Sequence, residues 1–264
     1  MKHNQFYKYL DKQLWTTLND EINLYTRNSM LISHHTYYDQ QEEQDNLLHW
    51  LHERWHLVLH TNNSPYHQYT IITMALLLHR YGWEITTLLP DVEIAVRQLI
   101  PHRSKSFERS STSLLNLLNT SPKPLTRRPP RAFVATQLRA GDLISIHLNG
   151  CYHFAFVHDV WQELAAAYPV IEFYQEVHTQ PALPLVDHQA QGKRFSNGIC
   201  HEERYAVFGL NYLPDPANQI ILVQHSYASL PQGDHLEKPM GLHVYLYFTQ
   251  LNTYIKELFA NPCD

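Results

Sequence analysis

The stretch RAGDLISIHLNGCYHFAFVHD, residues 139–159, decides how this chain is read. Its two apolar runs, DLISIHL (142–148) and HFAFVHDV (153–160), are rich in β-branched and aromatic residues and alternate in part with polar ones. That period of two belongs to strands. Between them stands Asn149-Gly150, a pair that tolerates the positive φ that a two-residue turn requires, so the stretch predicts a tight antiparallel hairpin.

Toward the C-terminus the same pattern continues. VIEFYQEV (170–177), RYAVFGL (204–210), QIILVQHS (219–226) and GLHVYLYF (241–248) read as strands, and Pro214-Asp215-Pro216 is a turn signal between two of them. TQLNTYIKELFA reads as a short closing helix. Toward the N-terminus the period changes to that of helices, over residues 8–26, 38–60, 66–81 and 90–100. Gly82 falls where a helix C-terminus favours glycine, and Pro90 and Asp91 fall where a helix start favours them. SPKPLTRRPPR (121–131) cannot continue a helix, because its prolines remove donors and bias the preceding residues away from helical torsions. The hydroxyl-rich SSTSLLNLLNT before it adds to a linker-like composition. The expectation is an α+β protein. A helical bundle (1–120) and a basic linker (121–131) precede a small, curved, antiparallel and barrel-like β-module (132–264).

Of the 264 residues, 44% are hydrophobic and 17% charged, which suits a folded protein rather than a disordered one. No apolar run reaches the roughly 18 residues of a membrane span. The start, MKHNQFYKYLDKQLW, carries no secretory h-region, and three cysteines make no paired framework, so a cytoplasmic protein is expected. Charge is unevenly placed. Residues 1–102 hold 7 Lys and Arg against 11 Asp and Glu, residues 103–131 hold 7 against 1, and residues 132–264 hold 6 against 13. The basic stretch reads as a solvated connector, and the acidic C-terminal half as a face that would attract a basic partner.

Two motifs raise enzyme readings. His52-Glu53-Arg54-Trp55-His56 spells the H-E-x-x-H of a zinc peptidase helix, where two histidines one turn apart bind the metal and the glutamate acts as general base. On a continuous helix His49, His52, His56 and His60 form one stripe beside an apolar one. However, the chain has 19 histidines, the motif encloses the charged Arg54, and no third ligand is marked, though Glu84 and Glu93 are acids to consider. The stripe equally fits a half-buried helix edge, where imidazoles are amphipathic. The second motif is the hairpin itself, which resembles the strand pair of circularly permuted papain-like hydrolases. That resemblance implies His153 as base and Cys200 as nucleophile, a thiolate needing a positive environment to form. Here HEERYAVFGL follows Cys200 and turns strand-like where that family has a helix.

A further resemblance covers residues 136–210. Gly141-Asp142-Leu143-Ile144, the Asn149-Gly150 turn, Tyr152-His153-Phe154-Ala155-Phe156-Val157, Ile171-Glu172-Phe173-Tyr174 and Arg204-Tyr205-Ala206-Val207-Phe208-Gly209 together resemble the bacterial immunity protein 26 family. The resemblance implies a non-catalytic antidote that binds a cognate toxin domain and blocks its active site or substrate access. Such a protein needs shape, aromatic anchors and complementary charge, with no cofactor, metal, nucleic acid or membrane. The segment HDVWQELAAAYP (158–169) interrupts two strands, and the excursion 178–198 is long for a connection; loops of this kind carry binding residues. The contact surface is therefore expected at Asp159, Trp161, Glu163, Glu172, Glu176 and Asp187.

Overall fold

The computed structural model describes all residues except 1–2, 33–38, 62–63, 132–134, 164–165, 182–194, 197–200, 203, 228–243 and 261–264. The chain divides into two compact units, Met1–Ala132 and Phe133–Asp264. The first is helical and the second carries the sheet, so the fold is mixed α+β.

The first unit contains α1 (Lys12–Ile32), α2 (Gln40–Arg54), α3 (His56–Leu59), α4 (Pro65–Arg80), α5 (Leu89–Leu99) and α6 (Lys105–Leu118), with short 3-10 turns before α1 and between α5 and α6. Their starts follow capping chemistry. Asp39 accepts from the amides of Gln41 and Glu42, and Ser64 and Ser104 accept from the amides of His67 and Phe107. Helix α4 is buried along most of its length. It ends in a paired C-terminal motif, in which Gly82 and Trp83 donate back to the carbonyls of His79 and Leu78. Gly82 has φ +85, and a Cβ there would lie 2.9 Å from the Lys123 carbonyl, so glycine is required twice over.

The hydroxyl-rich segment, linker-like in composition, forms helix α6 within the helical module, because Phe107, Ser111, Leu114 and Leu118 recur at helical spacing and are buried. One expectation fails in this unit. The basic stretch 121–131 is not a solvated tether. Arg27 donates to the Pro129 carbonyl at 2.7 Å, Arg128 donates to the Arg27 carbonyl at 3.2 Å, and Lys123 and Pro124 close on Gly82.

The second unit contains β1 (Leu143–Leu148), β2 (Cys151–Glu163), β3 (Ala166–His178), β4 (Phe195–Ser196), β5 (His201–Glu202), β6 (Tyr205–Phe208), β7 (Ile220–Gln224), β8 (Val244–Tyr247) and α7 (Phe248–Leu258). Six strands form one sheet in the order β7-β1-β2-β3-β6-β8, and β4 pairs with β5 alone. The β1–β2 hairpin turns at Asn149 (φ 53) and Gly150 (φ 79), with Leu148 opposite Cys151, as its Asn-Gly pair predicts. The sheet is open rather than barrel-like, and it is not wholly antiparallel: β8 runs parallel to β6. The reason is the order of the strands. After β6 the chain crosses to β7 at the far edge, then returns to β8 beside β6, and such a long crossover permits parallel pairing.

One face of the sheet is covered by α7. The Phe259 ring, just past the helix, lies 4.5 Å from that of His153 and 6.0 Å from that of Phe173, and Tyr254 lies 4.9 Å from Tyr205. Leu251, Ile255 and Leu258 are buried there with Ala155, Val157 and Ile171. The opposite face carries two apolar clusters. One joins Leu143, Phe154, Phe156, Tyr174 and Tyr227, and the other joins Ala166, Tyr168, Val170 and Ala206.

A candidate binding face

The site begins with a slip in strand pairing. In β2, Val157 faces Ile171 and Asp159 faces Val170, so His158 is an extra residue and the pairing shifts. A bulge of this kind reverses which residues share a face. Beyond it, Asp159 and Trp161 lie on the face away from α7, opposite Val170 and Tyr168. Residues 158–163 and 166–169 are thus part of the sheet, not an interruption, since β2 and β3 stay paired as far as Glu163 and Ala166. β-branched and aromatic residues such as Val160, Trp161 and Tyr168 favour strand here.

The parallel pairing of β6 with β8 completes this face. Tyr245 stands beside Ala206 and Tyr247 beside Phe208. The Tyr168 ring packs edge-on against Phe208 at 5.8 Å and against Tyr245 at 6.1 Å, and Phe208 meets Tyr247 at 5.9 Å. Tyr168 is 1% exposed, whereas Trp161 is 39%, Tyr247 40% and Tyr245 59% exposed. A buried aromatic base therefore carries three large rings open to solvent, with the exposed carboxylate of Asp159 on the same face. Exposed aromatic clusters mark contact surfaces, because large rigid rings bury much area at small entropy cost. Tyr168, Phe208, Tyr245 and Tyr247 are absent from the sequence-based set. The alternation in VYLY was the available signal, but only the parallel register aligns it with Trp161.

The remaining expected residues scatter. Glu172 is on the same face but 1% exposed. Its Oε2 accepts from His158 Nε2 at 2.6 Å and lies 3.6 Å from Arg204 Nε, so it is an internal counter-charge and is not presented to a partner. Burial, with Tyr227 and Glu172 nearby, raises the Tyr174 phenol above its ordinary range. Glu176 is exposed and 3.7 Å from His178. Glu163 is the last residue of β2, opposite Ala166. Asp187 lies outside the described residues.

The enzyme motifs fare differently. The H-E-x-x-H segment is broken at Trp55 (φ −98, ψ 11), so His52 lies in the last turn of one helix and His56 starts another. Arg54 and Trp55 explain the break. Both side chains turn inward to Glu21, with Arg54 Nε donating at 3.1 Å and Trp55 Nε1 at 2.9 Å. The histidines are left on the outside, where His49 pairs with Glu53 at 3.3 Å and the His56 and His60 rings lie 4.1 Å apart. No group of three metal-ligating side chains gathers there or elsewhere among the described residues.

His153 is buried under Phe259, and its Nδ1 has no hydrogen-bond partner among the described residues. Burial, with His147 contributing, lowers its imidazole to about 4. Cys200 lies outside the described residues. A neutral buried histidine makes stability depend on pH. The unfolded chain takes up the proton as pH falls through 6.5, the folded chain only near 4, so stability present above 6.5 is lost between those values. The expected loss is about 3 kcal/mol. Urea unfolding followed on β2 resonances at pH 7 and pH 4.5 measures it, and His153→Leu should flatten the dependence. An unchanged slope in that variant would mean His153 is not buried neutral.

No helix among the described residues is long and apolar enough to cross a membrane. Comparison with protein-family models, with curated proteins and with solved structures finds no match.

Proposed function

We propose that this chain is an immunity protein, which binds a cognate bacterial toxin domain and blocks its active site or substrate access. The face built by Trp161, Tyr245 and Tyr247 around Tyr168 is its contact surface. The observation that carries the reading is the exposure of these three rings on one sheet face, seated on buried aromatics. Trp and Tyr are the residues in which binding energy concentrates, and neighbouring contacts serve mainly to exclude water. The acidic balance of residues 132–264 supports a basic target, which their field would steer toward the face. A cytoplasmic location follows from this reading, since an antidote must meet the toxin where it acts.

Co-expression with the product of the adjacent gene tests the function. Growth rescue with a co-purifying one-to-one complex is expected. In the same assay Cys200→Ala should protect as well as the parent chain, because binding requires no thiolate. Loss of protection in a folded Cys200→Ala protein would shift the function to thiol chemistry with His153 as base. Absence of both rescue and complex would remove the immunity reading.

A further inference from the structure

We propose that a cavity between β7 and the loops beside it binds a small hydroxylated organic anion, held by Arg139 and His225. The cavity measures about 790 Å³ and is lined by Arg139, Leu213, Pro214, Asp215, Leu222 and His225 among others. That volume lies in the range of small-molecule sites.

Its polar end is built on Asp142, whose side chain is 2% exposed. Asp142 Oδ2 accepts the Arg139 backbone amide at 2.8 Å, and Oδ1 accepts His225 Nδ1 at 2.8 Å. One carboxylate therefore fixes two lining residues. A carboxylate can only accept, so His225 carries a proton on Nδ1, and in the neutral ring Nε2 is left as an acceptor. The His225 side chain is 60% exposed. In that neutral form the ring, held at Nδ1 by Asp142, accepts a hydroxyl of the ligand at Nε2.

The other wall is equally fixed. Asp215 accepts the amides of Ala217 and Ile220 at 3.2 and 2.8 Å, and Gln137 Oε1 accepts the Leu213 amide at 2.7 Å. The carboxylates of Asp142 and Asp215 are thus engaged by protein donors. The Arg139 guanidinium makes no hydrogen bond or ion pair among the described residues. It supplies the cationic fork that suits a carboxylate or phosphate. Leu213, Pro214 and Leu222 leave an apolar wall between. The chemistry that satisfies all three parts is an anion bearing a hydroxyl and an apolar body.

The test uses the full chain and histidine-selective NMR, with the His225 ring signal assigned by its loss in His225→Gln. Mandelate is the probe. Phenylacetate lacks its hydroxyl, and 1-phenyl-1,2-ethanediol lacks its charge. Mandelate should shift the His225 signal saturably at millimolar concentration. Each control should bind about tenfold more weakly, since each removes one hydrogen-bonded contact. Arg139→Gln should reduce mandelate to the affinity of the diol and leave the diol unchanged. Arg139 is exposed, and an unaltered ligand-free His225 signal verifies that this variant is folded. No saturable shift with mandelate, equal affinity for all three compounds, or indifference to Arg139→Gln would each overturn the proposal.

Discussion

Replacing Glu21 by Ala is expected to destabilise the helical unit by about 3–5 kcal/mol, the cost of breaking a buried ion pair by removing one side of it. Glu21 and Arg54 are 5% and 3% exposed, and Trp55 is fully buried beside them. The Glu21 carboxylate receives Arg54 Nε at 3.1 Å and Trp55 Nε1 at 2.9 Å. Removing it takes away the carboxylate that receives both a buried guanidinium and a buried indole N–H. A domain is stable by only about 5–15 kcal/mol, so the loss would leave the unit close to unfolding at ordinary temperature. Tryptophan fluorescence in urea is a suitable measurement. Four of the five tryptophans (Trp15, Trp50, Trp55 and Trp83) lie in this unit. The midpoint should fall steeply for Glu21→Ala. Replacing both ion-pair residues with apolar ones, Glu21→Leu with Arg54→Met, should recover much of the loss, because the desolvation cost disappears with the charges. A midpoint unmoved by Glu21→Ala would show that the pair is not buried as described.

Trp161→Ala and Tyr245→Ala are each expected to weaken toxin binding by at least about 2 kcal/mol, a factor of roughly 30, if the immunity reading holds. Trp161 is 39% and Tyr245 59% exposed in the free chain, so truncating them removes contact area without opening the core. The stability of the free protein should change little, by about 0.5 kcal/mol. This separation of affinity from stability distinguishes a binding anchor from a packing residue. Titration calorimetry with the purified toxin and thermal unfolding of each variant give the two quantities. Equal affinity in both variants would place the contact elsewhere.

Local chemistry made much of the fold legible. Asn149-Gly150 dictates its turn, Gly82 ends α4, and Pro90 with Asp91 opens α5. What the sequence hid was tertiary. The extra residue His158 reverses the strand's alternation, which no periodicity over VHDVWQE reveals. The parallel pairing of β8 depends on a crossover between distant segments. Helix α6 looked like linker because serines and threonines are weak helix formers, yet Phe107, Leu114 and Leu118 win through packing. The H-E-x-x-H spelling misled for a related reason. Its decisive residues are Arg54 and Trp55, whose partner Glu21 lies 33 and 34 positions away. Of the binding face, Asp159 and Trp161 were legible as residue types at a strand junction. Tyr245 and Tyr247 join them only through the sheet order.

The most direct measurement is isothermal titration of the purified chain with the toxin encoded beside it, comparing the parent protein with Trp161→Ala/Tyr245→Ala and with Cys200→Ala. A one-to-one complex that tolerates Cys200→Ala and is lost in the aromatic double variant is the expected result. A chain that does not bind the toxin, or binds it equally well without those two rings, would contradict the central claim.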